Sequence, residues 1–162
     1  RRAKHLSKTA KIDHPWEYYH DEIGWNDRMP NINAALGLSQ LENILEKLKS
    51  KEMLMKSYCE IFENNEIVEV FEDKDEQRVS NNWLITLMLK LKDKSEILEL
   101  RNNILKKSHE NGIFIRPAWN ILSELPMYKS MPRSSLKIVQ DIYPRLINLP
   151  SSPYLARNLE FN

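Results

Sequence analysis

His20-Asp21-Glu22-Ile23-Gly24-Trp25-Asn26-Asp27-Arg28-Met29-Pro30 runs directly into Asn31-Ile32-Asn33-Ala34-Ala35-Leu36-Gly37, and the change of pattern at Pro30 decides how the chain is read. Upstream, residues 12–30 show no period of 2 or 3.6 and carry the aromatics Trp16, Tyr18, Tyr19 and Trp25. Aromatics in an irregular segment need either a core to cover or a ligand to hold. Downstream, Ala34, Ala35, Leu38, Leu41, Leu45, Leu48, Met55, Tyr58 and Phe62 recur at three- and four-residue steps, the spacing of one buried helical stripe. Pro30 suits the helix start, where a missing N–H leaves no bond unmade. The spacing predicts a helix to about residue 63, roughly 45–50 Å long at 1.5 Å per residue and bent or broken near Lys49–Lys51. Asn64-Asn65 stops it.

Beyond the helix the pattern alternates. Ile67–Phe71 and Trp83–Leu89 read as strands, the second the better of the two. Ser95 is placed to cap a helix carrying Ile97, Leu100, Ile104 and Leu105, which Asn111-Gly112 ends with glycine in the left-handed position. Ile113–Ile115 reads as a further strand. Ser134 or Ser135 caps a helix through Val139 and Ile142 that Pro144 closes, and Leu146–Leu149 is a last short strand. The expected architecture is α+β: a long helix, then a small sheet of three or four mostly antiparallel strands with helices. The division falls at residue 63, with 1–63 carrying the irregular loop and long helix and 64–162 the α+β unit.

Composition narrows the function. Of 162 residues, 41% are apolar and 29% charged, which is enough for a core. The three glycines, Gly24, Gly37 and Gly112, are too few and too scattered for a phosphate-cradling loop of the P-loop or dinucleotide kind. A net charge of +1 argues against a nucleic-acid partner. The basic opening, Arg1 to Lys11, is offset by runs such as Glu72 to Glu76. A single Cys59 excludes an intrachain disulfide and a multi-cysteine zinc site, and fits a reducing cytoplasm. No apolar run approaches the ~20 residues of a membrane span. The opening Arg1-Arg2-Ala3-Lys4-His5-Leu6 reads like the end of a helix already under way, so the chain is expected to be a piece of a longer one.

Three places could carry chemistry. Asn26 and Arg28 precede a helix start, whose first amides have no partners; a guanidinium fork and a carboxamide there suit a phosphate ester. The alternative makes Asn26 a turn residue and pairs Arg28 with Asp21, Glu22 or Asp27. His20-Asp21-Glu22, with His14, lacks the three- or four-residue spacing of helical metal ligands, so no metal is assigned and His20 bonds locally or faces a substrate. Arg116-Pro117-Ala118-Trp119 follows a strand and suits a flat or sugar-like ligand, unless Trp119 is core and Arg116 a surface charge. Trp83 and Phe71 read as core and Tyr128 is left open. No nucleophile–base pair stands out, and Cys59 reads as a packed residue.

Residues His20–Gly37 followed by Gln40-Leu41-Glu42, then Arg116-Pro117-Ala118-Trp119, then Leu149-Pro150-Ser151-Ser152-Pro153 together resemble, in order, the DegT/DnrJ/StrS family of sugar aminotransferases. They look most like its branch in nonulosonic (legionaminic-type) and related surface-sugar pathways, and the resemblance covers roughly residues 1–155. It implies an α/β fold-type I transferase, homodimeric, that uses pyridoxal 5'-phosphate to pass an amino group from glutamate to a keto nucleotide sugar. It puts Asn26 and Arg28 on the cofactor phosphate of the neighbouring subunit, and His20, Arg116 and Trp119 toward the nucleotide sugar. Asp27 departs from the tyrosine of many relatives. The family's cofactor-anchoring lysine, in an Asn-Lys-x-Ile-Thr-like strand, has no counterpart here; Lys4, Lys8 and Lys11 are poor substitutes, so no catalytic residue is assigned and the chain alone is expected to be inactive. Two alternatives stand beside this: a binding or dimerisation module of the same fold, and a cofactor-dependent sugar dehydratase in which histidine replaces that lysine.

Overall fold

The computed structural model describes residues 1–73, 75 and 77–159, so Lys74 and Glu76 of the acidic run lie outside the described residues. The chain forms two compact units, Arg1–Ile44 and Leu45–Asn162.

In the first unit, α1 (Arg2–Leu6) ends at Ser7 and α2 (Asn31–Glu42) begins after Pro30, which occupies the N-cap. The aromatic segment between them folds back on residues 6–12 through backbone bridges, Lys8 with Asn26 and Lys11 with His20. Ala10 is fully buried there. No residue of α2 is buried: Ile32, Leu36, Leu38 and Leu41 are all exposed. The apolar repeat expected to be one buried stripe is therefore not covered along α2. The helical run breaks at Asn43, six residues before the expected place, where the carboxamide donates to the Ser39 carbonyl and the backbone leaves helical angles. Asparagine competes with the helix ladder in this way.

In the second unit, α3 (Ile44–Phe62) leads to β1 (Val68–Val70), β2 (Thr86–Leu89), α4 (Lys94–Glu110), β3 (Arg116–Pro117), α5 (Lys137–Ile142) and β4 (Leu146–Asn148). The four strands form one antiparallel sheet in the order β1-β2-β4-β3, within the expected class. Alternation sets its faces: Leu87 and Leu89 on β2 and Ile147 on β4 are buried while their neighbours are not. Those residues, with Val68 and Ile115, pack on Ile97 of α4; Leu54 of α3 makes a second cluster with Ile85 and Ala156.

Local details differ from the sequence reading. Asp93, not Ser95, caps α4: its carboxylate accepts from the amides of Ser95 at 2.8 Å and Glu96 at 3.1 Å. Gly112 ends that helix at φ +75°, as its position required. Neither Ser134 nor Ser135 caps α5, which starts after Leu136 with no side-chain cap. The strand expected at 113–115 lies one step further on, at Arg116–Pro117, where an edge position tolerates the proline. No helix among the described residues is long and apolar enough to cross a membrane.

Candidate functional site

The candidate anion site is built by the folding back of residues 20–27. The Trp25 amide donates to the Leu6 carbonyl at 2.8 Å, the Thr9 amide to the Trp25 carbonyl at 2.9 Å, and the Asp27 amide to the Ser7 carbonyl at 3.0 Å. Gly24 sits between these bonds against the backbone of Thr9 and Ala10, where a side chain would collide. Charges reinforce the contact: Arg2 donates to both oxygens of Glu22, at 2.6 and 2.7 Å, and His5 Nε2 bonds Asp21 at 2.7 Å. That bond, with the charges of His5 and Arg2, holds the Asp21 carboxyl below the usual range.

These pairings bear on Arg28. Asp21 and Glu22, two of its three alternative partners, are engaged by His5 and Arg2, and among the described residues Arg28 makes no ion pair. Asn26 joins Lys8 through its backbone. Both side chains are exposed just before α2, which has no side-chain cap and no acidic residue in its first turn. A free guanidinium fork, a carboxamide and an uncapped 12-residue helix start are chemically suited to a phosphate ester.

His20 Nδ1 donates to the Thr9 carbonyl at 2.7 Å, which leaves Nε2 as its available nitrogen. His14 instead turns its Nδ1 to the amides of Trp16 and Glu17. His5, Asp21 and Glu22 bring ligand atoms within 4.8 Å of one another, a grouping the sequence did not suggest. Glu22 gives both oxygens to Arg2, so the three are the core of an ion network that fastens α1 to the loop.

The other predicted residues meet in the second unit. Arg116 and Trp119 line a cleft of about 530 Å³ together with Trp83, Phe114, Asn120 and Asn148. Trp119 is 71% exposed, so it is not part of the core of the described residues, and Arg116 is exposed and unpaired among them. Trp83, read as core, is 67% exposed and stacks on Trp119 with ring centroids 6.0 Å apart and planes at 22°. Phe71 is likewise exposed. Both lie outside their strands, so the alternation that buries Leu87 and Leu89 does not extend to them. The turn-forming Ser80-Asn81-Asn82 before Trp83 was the signal that the strand starts later. Tyr128 is exposed in a 3-10 turn.

Lys51, which no motif singled out, donates from α3 to the carbonyls of Trp83 at 3.2 Å and Ser151 at 2.6 Å. Ser151 Oγ accepts from the Ile85 amide and Tyr58 donates to the Pro150 carbonyl, so Leu149–Ser151 is bracketed between α3 and the start of β2. Cys59 is partly buried, and burial followed by the charge of Glu72 pushes its thiol up to about 11, the wrong direction for a nucleophile.

The described residues thus carry an antiparallel sheet flanked by helices, preceded in the chain by a glycine-docked loop and an exposed helix. Residues 2–159 match the DegT/DnrJ/EryC1/StrS aminotransferase family, and the chain belongs to it. The GDP-perosamine synthase of Escherichia coli O157:H7 is 32% identical over 140 residues, covering 86% of this chain and 36% of that protein. Among solved structures, Helicobacter pylori PseC, an aminotransferase involved in the biosynthesis of pseudoaminic acid, superposes with a TM-score of 0.73 at 22% identity, over 96% of this chain and 42% of that one. Spr1654 from Streptococcus pneumoniae, solved in a PMP form, gives 0.80 at 22% identity, over 96% and 38%. The chain thus spans about two fifths of the length of these relatives.

Proposed function

We propose that the full-length protein is a pyridoxal-phosphate-dependent aminotransferase that moves an amino group from glutamate to a keto nucleotide sugar, in the making of a surface glycan. The observation that carries this is Arg28: a guanidinium without a carboxylate partner among the described residues, beside Asn26, at an uncapped helix start, in a member of the DegT/DnrJ/EryC1/StrS aminotransferase family. Asn26 and Arg28 hold the cofactor phosphate, with the Gly24 contact and the Arg2–Glu22 and His5–Asp21 pairs fixing the loop that presents them.

When bound, the cofactor supplies the electron sink for amino transfer. His20 keeps one ring nitrogen for the Thr9 carbonyl and offers the other to substrate. Arg116 and Trp119 receive the nucleotide sugar, the arginine through phosphoryl oxygens and the indole through a flat ring face. Residues 1–63 are then the end of the large domain, its phosphate loop and the linking helix, and 64–162 the small domain. The reading further takes the protein as a cytoplasmic homodimer in which the Asn26–Arg28 loop serves the partner subunit's cofactor. None of these residues is assigned the covalent step.

The test is cofactor affinity in the full-length protein, followed through cofactor absorbance near ~410–430 nm. Arg28→Ala should weaken pyridoxal 5'-phosphate binding by about tenfold or more, the worth of a charge-assisted hydrogen bond, and Arg28→Lys by less. Unchanged affinity in Arg28→Ala would remove the phosphate role.

A further inference from the structure

The indoles of Trp83 and Trp119 are two large apolar side chains that folding leaves mostly in water. Neither is loose. The Trp83 amide donates to Asn81 Oδ1 at 3.0 Å, its carbonyl accepts from Lys51 at 3.2 Å, and Asn82 before it sits at φ +48°, a left-handed conformation that asparagine adopts more readily than other side-chain-bearing residues. The Lys51 ammonium is itself partly buried, and that burial depresses its pKa. The backbone carrying the exposed Trp83 indole is therefore fixed on both sides by hydrogen bonds, one of them from a Lys51 ammonium that also ties the Ser151 carbonyl. What the arrangement secures is a pair of nearly parallel rings forming one wall of the cleft. Arg116 lies in the same cleft, as does Asn120, whose carbonyl oxygen accepts from Tyr143 and whose amide N–H groups have no partner among the described residues. A flat ring on the wall, phosphoryl oxygens on the arginine and a polar ring edge on the carboxamide are the parts of a nucleoside diphosphate sugar. A small amino acid uses only one of them.

We infer that Trp83 is a specificity-determining residue for the nucleotide-sugar substrate, acting with Trp119, and that Lys51 is the positioning residue that fixes it through the Trp83 carbonyl. This rests on the reading that the Arg116–Trp119 cleft receives the nucleotide sugar.

The experiment uses the full-length, cofactor-loaded protein and two readouts. Calorimetry measures binding of UDP-glucose, GDP-mannose and dTDP-glucose, the tightest of which is carried through the variants. Cofactor absorbance follows the half-reaction with glutamate alone. Trp83→Ala should weaken the nucleotide sugar about tenfold and Lys51→Met about threefold, with Trp83→Phe and Lys51→Arg recovering most of the loss. The glutamate half-reaction should stay within about twofold in every variant. A Trp83→Ala affinity within about twofold of the parent, or equal damage to both readouts, overturns the inference. If Trp119→Ala then still weakens the nucleotide sugar, the reading of the cleft survives and only the role of Trp83 falls. If it does not, or if none of the three probes binds the parent protein, both fall. Should Lys51→Met fail to fold, Trp83→Ala, at a mostly exposed side chain, decides alone.

Discussion

The amide nitrogen of Ala10 lies 2.5 Å from where a β-carbon on Gly24 would stand. The Thr9 carbonyl carbon at 2.6 Å and the Leu6 oxygen at 2.8 Å close the same space. All three are backbone atoms, which cannot swing aside as a side-chain tip can. Gly24 is needed for close approach rather than for a left-handed turn; the left-handed residues are its neighbours in space, Thr9 and Ala10, at φ +65° and +50°. Two consecutive strained residues thus bring buried Ala10 against Gly24, and the loop leading to Asn26 and Arg28 is fastened to the end of α1.

Gly24→Ala should therefore destabilise the first unit by about 2 kcal/mol or more, as overpacking against backbone does. Hydrogen exchange is the direct check: the amides of Thr9, Trp25 and Asp27 lose protection while those of α4 keep it. Unchanged exchange at those three amides would contradict the close-packing argument.

Acid should release the same loop. The Asp21 carboxyl, held down first by its bond to His5, stays charged to a lower pH in the folded chain than its ordinary 3.8. For a depressed carboxyl the sign is fixed: the stabilisation is full above that ordinary value and is lost as pH falls through the lower folded one. The expected result is loss of protection at residues 9–27 below about pH 4, earlier than in the sheet. Asp21→Asn, which removes that charge, should make loop protection less dependent on pH in that range, the Arg2–Glu22 pair remaining acid-sensitive.

What the sequence disclosed follows from the range of the forces involved. Periodic burial is local, so β2, β4 and the apolar side of α4 could be read, and so could the glycine stop at Gly112. Asn26, Arg28, Arg116 and Trp119 could be singled out as candidates because a helix start and a strand end are local features, and the family resemblance rests on the same short motifs. Trp83 was misplaced because its partner is 36 residues away in sequence, and stacking leaves no periodic trace. Lys51 was missed for the same reason: its ligands are backbone carbonyls 32 and 100 residues away, which any sequence supplies. The Arg2–Glu22 pair is likewise long-range, and it decided which acids remained for Arg28.

Cys59 should be a poor nucleophile across the physiological range. Burial, then Glu72, pushes its thiol from 9.0 up to about 11, so the neutral form is favoured in the fold. Alkylation by iodoacetamide should be slow at pH 8 and accelerate only as pH approaches about 11. A raised thiol contributes its stabilisation below the unfolded value and loses it as pH climbs from 9.0 toward 11, so thiol exposure and loosening of α3 should appear together. Fast labelling at neutral pH would show that the side chain is more open than its surroundings indicate.

The two apolar patterns of the chain make opposite predictions for the same kind of substitution. Ile97 is 1% exposed and touches the sheet cluster, so Ile97→Ala should cost about 2–5 kcal/mol wherever it is measured. Leu38, on fully exposed α2, has nothing to lose in this chain, and Leu38→Ala should alter the stability of the 162-residue chain by less than about 0.5 kcal/mol. In the full-length protein the same repeat of Ala34, Ala35, Leu38 and Leu41 is expected to lie against protein, since a stripe this regular is seldom spent on water. There Leu38→Ala should become destabilising by about 2 kcal/mol or more in denaturant titration. Equal, negligible effects in both lengths would mean that α2 stays uncovered in the whole protein, and the linking-helix role proposed for it would have to be abandoned.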